Sequence, residues 1–317
     1  MKWSLMTYMK MNELHDGFKG AVQVLLTSVG QGVTNKGAPY LSFTLQDNTG
    51  TMDAKYWNVP QDILTTFQPG QIIEVYGDVI SHQKQLQFRV QKASVIEKEG
   101  LNITDYVPEG PIPYVELKRG IQSYVDSIQN KTIKTLVVEI LKDHEKDFYE
   151  YPAATKNHHD FVGGLATHVL GMMNLCDSMC TQYPLLNRDL LMAGIFLHDI
   201  GKLTELSGAI ITEYTVEGKL LGHISIMQAE IDKKAEVLGI QGEEVTLLRH
   251  MVLSHHGVYE YGSPVLPMIP EAEVLYLLDN IDARMHTMEK ALKPLQPGEF
   301  SQRIFALENR NLYKTKL

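Results

Sequence analysis

Cysteine is scarce in this 317-residue chain: there are two, Cys176 and Cys180, one helical turn apart. Two thiols make no disulfide framework, and at that spacing they read as small core residues rather than metal ligands. No apolar run is long enough to span a bilayer. Met1 to Met11 lacks the apolar core of a signal peptide. Positive charge is short as well: 29 Lys and Arg stand against 38 Asp and Glu, a net charge of −9. That balance argues against a generally basic nucleic-acid coat but leaves room for a local groove. Internal repeats and low-complexity tracts are absent. The expectation is a reduced, cytoplasmic, soluble protein with no membrane partner, long enough for two domains. Met6, Met9 and Met11 are alternative starts, so residues 1–14 read as an N-terminal extension.

Residues 15–98 read as β. Ala21 to Leu26 is the first strand, and Tyr40 to Gln46 the second, with Leu41, Phe43 and Leu45 on one face and Tyr40, Ser42 and Thr44 on the other. Asp47-Asn48-Thr49-Gly50 is a strong turn signal. Thr51 to Trp57 follows, with Met52, Ala54 and Tyr56 opposite Asp53, Lys55 and Trp57. A short helix fits Gln61 to Phe67, closed by Pro69-Gly70, before two more strands at Ile72 to Ile80 and Gln85 to Val95. Five strands with a small helix between the third and fourth suit an OB-fold barrel. The turn leading into a strand that ends in Trp resembles the OB domains of replication and tRNA-handling proteins.

In such a barrel the outer face of strands two and three binds oligonucleotide. Alternation puts Tyr40, Ser42, Thr44, Lys55 and Trp57 there, joined by Gln85, Gln87 and Arg89. Aromatic rings stack bases and cations meet phosphates. Tyr40, Lys55, Trp57 and Arg89 are therefore candidate strand-binding residues. The competing reading has Trp57 capping the barrel and the charges merely solvated.

Residues 99–150 read as a linker and leading helices. Pro108, Gly110, Pro111 and Pro113 punctuate the linker. Tyr114 to Ile128 and Thr132 to Phe148 then carry apolar residues at helical spacing.

Residues 151–295 hold most of the histidines. A helix from about Leu165 puts His168 in an inward stripe with Leu165, Val169, Met172 and Cys176. The apolar run Leu190 to Leu197 predicts a helix buried on most faces, and it ends in His198-Asp199. A buried His-Asp pair is costly without partners, and a divalent cation would satisfy both groups. A hairpin is expected at Ile210 to Thr215 and Lys219 to Leu221, then a helix from His223. Glu243 to Ser254 predicts a helix ending in His255-His256-Gly257, with Gly at the C-cap. Glu271 to about Leu292 is a long striped helix in which Asp279 and Asp282 share a face with Leu275 and Leu278. His15, His82, His144, His250 and His286 read as ordinary surface or core residues. The tail, 296–317, has no readable pattern.

His168, then His198-Asp199, then Asp279 resembles the HD superfamily of metal-dependent phosphohydrolases. Gly-Gly-Leu before His168, the string His198-Asp199-Ile200-Gly201-Lys202 and the string Leu278-Asp279-Asn280-Ile281-Asp282-Ala283 are similar to that family's blocks. The resemblance implies an all-α HD phosphohydrolase domain behind the OB-fold barrel. His223, His255 and His256 are similar to the branch that binds two metals. On that resemblance His168, His198, Asp199 and Asp279 hold the first ion. His223, His255 and His256 hold the second, with Asp199 bridging. Two ions about 3.5–4 Å apart clamp a phosphodiester for in-line attack by an activated hydroxide. Lys202 would neutralise transition-state charge; its other reading is a helix-end lysine answering the dipole. His158 and His159 would meet the phosphate, since similar His-His pairs precede Gly-Gly-Leu in related HD proteins, or else brace His168. Asp282 would support a ligand from behind.

The whole chain, barrel then linker then HD domain, resembles the YhaM-type 3′→5′ exoribonucleases, some described as CMP-binding factors. That resemblance implies manganese-dependent digestion of single-stranded RNA from its 3′ end, with single-stranded DNA as a second partner. Donor chemistry also admits iron, cobalt or zinc. Flat apolar helix faces make a homo-oligomer a further expectation. Two other classes stand beside this reading. One is an HD phosphodiesterase acting on a small or cyclic nucleotide, with a regulatory barrel. The other is a non-enzymatic single-strand-binding factor.

Overall fold

The structure is a computed structural model that describes residues 8–82, 85–97, 101–107, 110–153, 161–208 and 213–317. It divides into two units, Met1–Glu109 and Gly110–Leu317. The first is a closed barrel of β1 (Lys19–Val33), β2 (Pro39–Asp47), β3 (Gly50–Trp57), β4 (Ile72–His82) and β5 (Gln85–Val95), in the order β1-β2-β3-β5-β4. β3 and β5 run parallel, and the other pairs are antiparallel. Alternation sorts the faces as read: Leu41, Phe43 and Leu45 are buried, while Tyr40, Ser42 and Thr44 are half-buried. The helix expected at Gln61 to Phe67 is only a 3-10 turn, Gln61–Ile63, since Thr65 and Thr66 behind it are poor helix formers.

The turn after β2 is held by Asp47. Its carboxylate accepts from the N–H groups of Thr49 at 2.7 Å and Gly50 at 3.2 Å, and from the Thr49 hydroxyl at 2.6 Å. Its other oxygen accepts from the Met11 N–H at 2.7 Å. That bond fastens the segment before β1 to the barrel, and Met11 and Leu14 join the barrel core. Past β5, the Tyr106 carbonyl accepts from Gln46 Nε2 at 3.3 Å and the Tyr106 hydroxyl donates to Gln23 at 3.1 Å. Residues 101–107 are thus packed on the barrel, with Tyr106 and Val107 buried.

The second unit is helical: α1 (Tyr114–Ser127), α2 (Lys131–Asp143), α3 (Glu145–Glu150), α4 (Gly164–Gln182), α5 (Arg188–Leu197), α6 (Lys202–Glu205), α7 (Val216–Val237), α8 (Glu243–Ser254) and α9 (Pro270–Leu292). α5 lies at its centre, buried from Leu190 to Leu197. Asn187 caps that helix by accepting from the Leu190 N–H at 3.1 Å. The helix expected from Thr132 to Phe148 breaks at His144 into α2 and α3. The expected hairpin is not formed by Lys219 to Leu221, which are helical because Thr215 caps α7 through the Gly218 N–H at 2.8 Å. Residues 209–212 of that expectation lie outside the described residues. α7 kinks at Gly222 (φ 71°, ψ 151°), so His223 opens its longer part, as the sequence suggests. The tail closes on itself through bridges between Phe300 and Tyr313 and between Ile304 and Arg310. Among the described residues no helix is long and apolar enough to cross a membrane.

Candidate metal centre and strand-binding face

α5 hands over to a tight turn at His198, and from there Asp199 reaches a pocket ringed by imidazoles. Asp199 Oδ2 lies 3.3 Å from His198 Nε2 and 4.0 Å from His168 Nε2. Its Oδ1 lies 3.7 Å from His223 Nε2 and 3.8 Å from His255 Nε2. One carboxylate therefore faces two groups of donors. The first is His168, His198 and Asp279, and the second is His223, His255 and His256; within each, the donor atoms lie within 4.8 Å of one another. His168, His198, Asp199 and His255 are buried, and His223 nearly so.

The far side of each ring explains why Nε2 points inward. Nδ1 of His198 meets the Ile195 carbonyl at 2.9 Å, Nδ1 of His255 the Val252 carbonyl at 2.7 Å, and Nδ1 of His256 the Tyr261 carbonyl at 2.7 Å. A carbonyl can only accept, so these Nδ1 atoms carry the proton and Nε2 keeps its lone pair. Two carboxylates do the same work: Asp282 meets His168 Nδ1 at 2.6 Å, and Glu205 meets His223 Nδ1 at 3.1 Å. Glu205 also accepts from the His223 backbone N–H at 3.1 Å. Asp282 fits behind His168 because Gly171 has no side chain; a Cβ there would stand 2.5 Å from Asp282 Oδ1.

Among the described residues, Nε2 of His198, His223 and His255 and Oδ1 of Asp199 are buried with no hydrogen-bond partner. Each such orphan costs on the order of 1–3 kcal/mol. Four orphans converging on one pocket, all good cation donors, fit a divalent ion.

The charges are mutually arranged. Burial opposes ionisation of Asp199, but Lys202 and His198 hold its carboxyl well below the usual range. Burial likewise opposes the Asp279 charge, and His168 outweighs it, keeping that carboxyl ionised. In the metal-free chain burial would neutralise His168, yet Asp279 and Asp282 push it up to about 10, so a cation bound there would displace the proton from Nε2. Burial and the neighbouring His256 push His255 down. Lys202 Nζ donates to Asp199 Oδ2 at 2.7 Å. Lys202 is the first residue of α6, a helix of four residues. A cleft of about 520 Å³ leads in, lined by Lys202, His256 and Asp279 and by residues of α9 and the tail.

On the barrel, Tyr40 and Trp57 face each other across β2 and β3 with ring centroids 4.7 Å apart. Lys55 Nζ lies 5.1 Å over the Tyr40 ring and donates to Ser42 Oγ at 2.6 Å. Trp57 is 41% exposed, so it does not plug the barrel. A shallow cavity of about 190 Å³ beside them is lined by Ser42, Thr44, Asp53, Lys55 and Gln87. Arg89 is differently employed: it forks onto Asp78, Nη2 to Oδ2 at 2.6 Å and Nε to Oδ1 at 3.2 Å. His158 and His159 lie outside the described residues.

Residues 165–284 match the HD domain family, and residues 19–96 match the OB-fold nucleic acid binding domain. Curated relatives cover nearly the whole chain. The 3′-5′ exoribonuclease YhaM of Bacillus subtilis (strain 168) is 47% identical over 92% of this chain and 93% of its own length. That of Geobacillus sp. (strain WCH70) is 45% identical over 92% of this chain and 91% of its own. The chain belongs to the YhaM 3′-5′ exoribonuclease family. Among solved structures, the second OB-fold domain of replication protein A from Methanococcus maripaludis aligns with 30% of this chain and 100% of its own at 24% identity, with a TM-score of 0.24. This YhaM-family chain is therefore a nuclease of the hydrolase class, built of an OB-fold barrel and a helical HD domain. Its His/Asp cluster is compatible with divalent cations.

Sequence reasoning missed Glu205 behind His223, and it missed the tail residues that wall the cleft. Glu205 carries no local signal, because its partner lies eighteen residues away beyond the kinked start of α7.

Proposed function

We propose that this chain hydrolyses single-stranded RNA from its 3′ end, with single-stranded DNA as a second substrate. The observation that carries this reading beyond the family is Asp199, which turns one oxygen to each of two donor groups. In this reading His168, His198, Asp199 and Asp279 hold one divalent cation, and His223, His255 and His256 hold another, with Asp199 shared. Manganese is the proposed ion, and iron, cobalt or zinc would suit the same donors. Bound there, the pair would supply Lewis acidity to the phosphodiester and lower the pKa of a water for in-line attack.

The chain's own groups set the rest. Asp282 and Glu205 hold two rings in register, and the carbonyls of Ile195, Val252 and Tyr261 hold three more. Lys202 keeps a proton on Nζ at the cleft wall, where it offsets negative charge gathering on the phosphate. Tyr40, Lys55 and Trp57 hold the strand by stacking and phosphate contact, and attachment of that barrel to the hydrolytic unit raises the local concentration of substrate. His158 and His159 are proposed to meet the phosphate. A cytoplasmic, self-associating chain belongs to the same reading, with its free thiols and the exposed Val216, Leu220 and Leu221 in keeping.

The test is digestion of 5′-labelled single-stranded RNA with manganese chloride. A ladder shortening from the 3′ end is expected, lost in His198→Ala and Asp199→Ala. Intact RNA alongside hydrolysis of a dinucleotide or cyclic nucleotide would overturn it in favour of a small-nucleotide phosphodiesterase. Retention of RNA with hydrolysis of neither would leave a binding factor.

A further inference from the structure

The tail, unreadable in the sequence, supplies part of the cleft. That cavity of about 520 Å³ is lined by polar groups, Lys202, His256 and Asp279 among them, and by the rings of Tyr261, Tyr276 and Phe305. The volume suits a ligand of nucleotide size. Phe305 lies beyond the residues 165–284 matched by the HD domain.

Phe305 is 87% exposed, yet it is not on a loose end. It opens a 3-10 turn, Phe305–Leu307, whose Leu307 is 1% exposed. The next two residues, Glu308 and Asn309, both have left-handed backbones at φ 53° and 57°. Such conformations are strained for residues other than glycine and persist only where the surroundings impose them. Here Glu308 grips Arg284 of α9 with both oxygens, at 2.7 and 3.0 Å, and Arg310 at 2.9 Å. The tip is therefore pinned to the helix that carries Asp279, with its phenyl ring held out toward solvent at the cleft.

The other two aromatic residues adjoin His256 and Gly257. The Tyr261 carbonyl orients His256. Tyr276 lies against Gly257, the left-handed residue (φ 76°) directly after His255-His256, where a Cβ would stand 2.4 Å from the ring.

We infer that Phe305, with Tyr261 and Tyr276, forms a subsite that stacks the nucleobase of the 3′-terminal nucleotide while its phosphate lies against Lys202. This rests on the exonuclease reading above. Ring faces accept any base, so the subsite reads the presence of a base rather than its identity. It positions the terminal nucleotide so that its phosphodiester falls at the cation donors.

The test is calorimetric titration of the full chain, in manganese chloride, with adenosine 5′-monophosphate and with ribose 5-phosphate. Stacking predicts that the nucleotide binds tighter than the sugar phosphate by about tenfold. Phe305→Ala should remove most of that preference and leave ribose 5-phosphate binding unchanged, and Phe305→Trp should retain it. Equal affinity for the two ligands in the native chain, or an intact preference in Phe305→Ala, would overturn the inference. The titration needs no turnover. Intact RNA with a Phe305-dependent base preference would sink the exonuclease reading and leave the subsite standing.

Discussion

Five imidazoles in the helical unit are each tied at Nδ1 to a fixed acceptor, and that arrangement turns scattered histidines into a donor set. The carboxylate acceptors are the ones a single substitution can reach. Asp282→Asn keeps the shape behind His168 but removes the charge that holds its Nδ1 proton. Manganese affinity should fall about 10–100-fold, read by competition with a chelator of known affinity, while thermal unfolding of the metal-free chain shows it still folded. Unchanged affinity would mean that Asp282 only packs. His168 and Asp279 were legible in sequence because each interrupts an apolar stripe, and His198, Asp199 and His255 because they stand where helices end, places where a buried polar group needs a reason. Glu205 was not legible: it sits in a short polar helix and acquires its role only when the kinked α7 folds back onto it.

At the scale of elements, helices with uninterrupted stripes were read to within a few residues, α8 among them. The errors fall where a distant partner decides. The periodicity of 132–148 runs straight through His144, but the chain breaks there, and His144 Nε2 pairs with Glu230 of α7 at 2.6 Å. Glu230 raises the His144 pKa against the effect of burial. A histidine whose folded pKa is raised contributes stability that is fully present below its unfolded pKa, about 6.5, and is lost as pH rises through the folded value. Glu230→Gln should therefore cost about 1–2 kcal/mol near pH 6 and close to none near pH 9, by chemical denaturation. An equal cost at both pH values would show the pair acting as a neutral hydrogen bond.

At the scale of the whole molecule, the proposed division of labour is between a barrel that holds a strand and a helical unit that cuts it. Alternation made the barrel legible, since one face of each strand had to be buried. Whether Trp57 stacks bases or caps the barrel was open from sequence, and the structure leaves the ring exposed beside Tyr40. Trp57→Ala should weaken single-stranded RNA binding about 5–100-fold, measured by fluorescence anisotropy, and leave dinucleotide hydrolysis unchanged. Loss of stability without loss of RNA affinity would return Trp57 to a packing role. The tail was illegible because its order comes from Arg284 and Leu307 rather than from any periodicity of its own.

Asp199 is proposed to bridge two cation sites. The direct measurement is the manganese content of the chain after equilibrium dialysis, by plasma mass spectrometry, for the native chain and for Asp199→Asn. Two ions per native chain are expected, with a loss from both sites in the variant. A single ion in the native chain, or two in Asp199→Asn held as tightly as in the native chain, would contradict it.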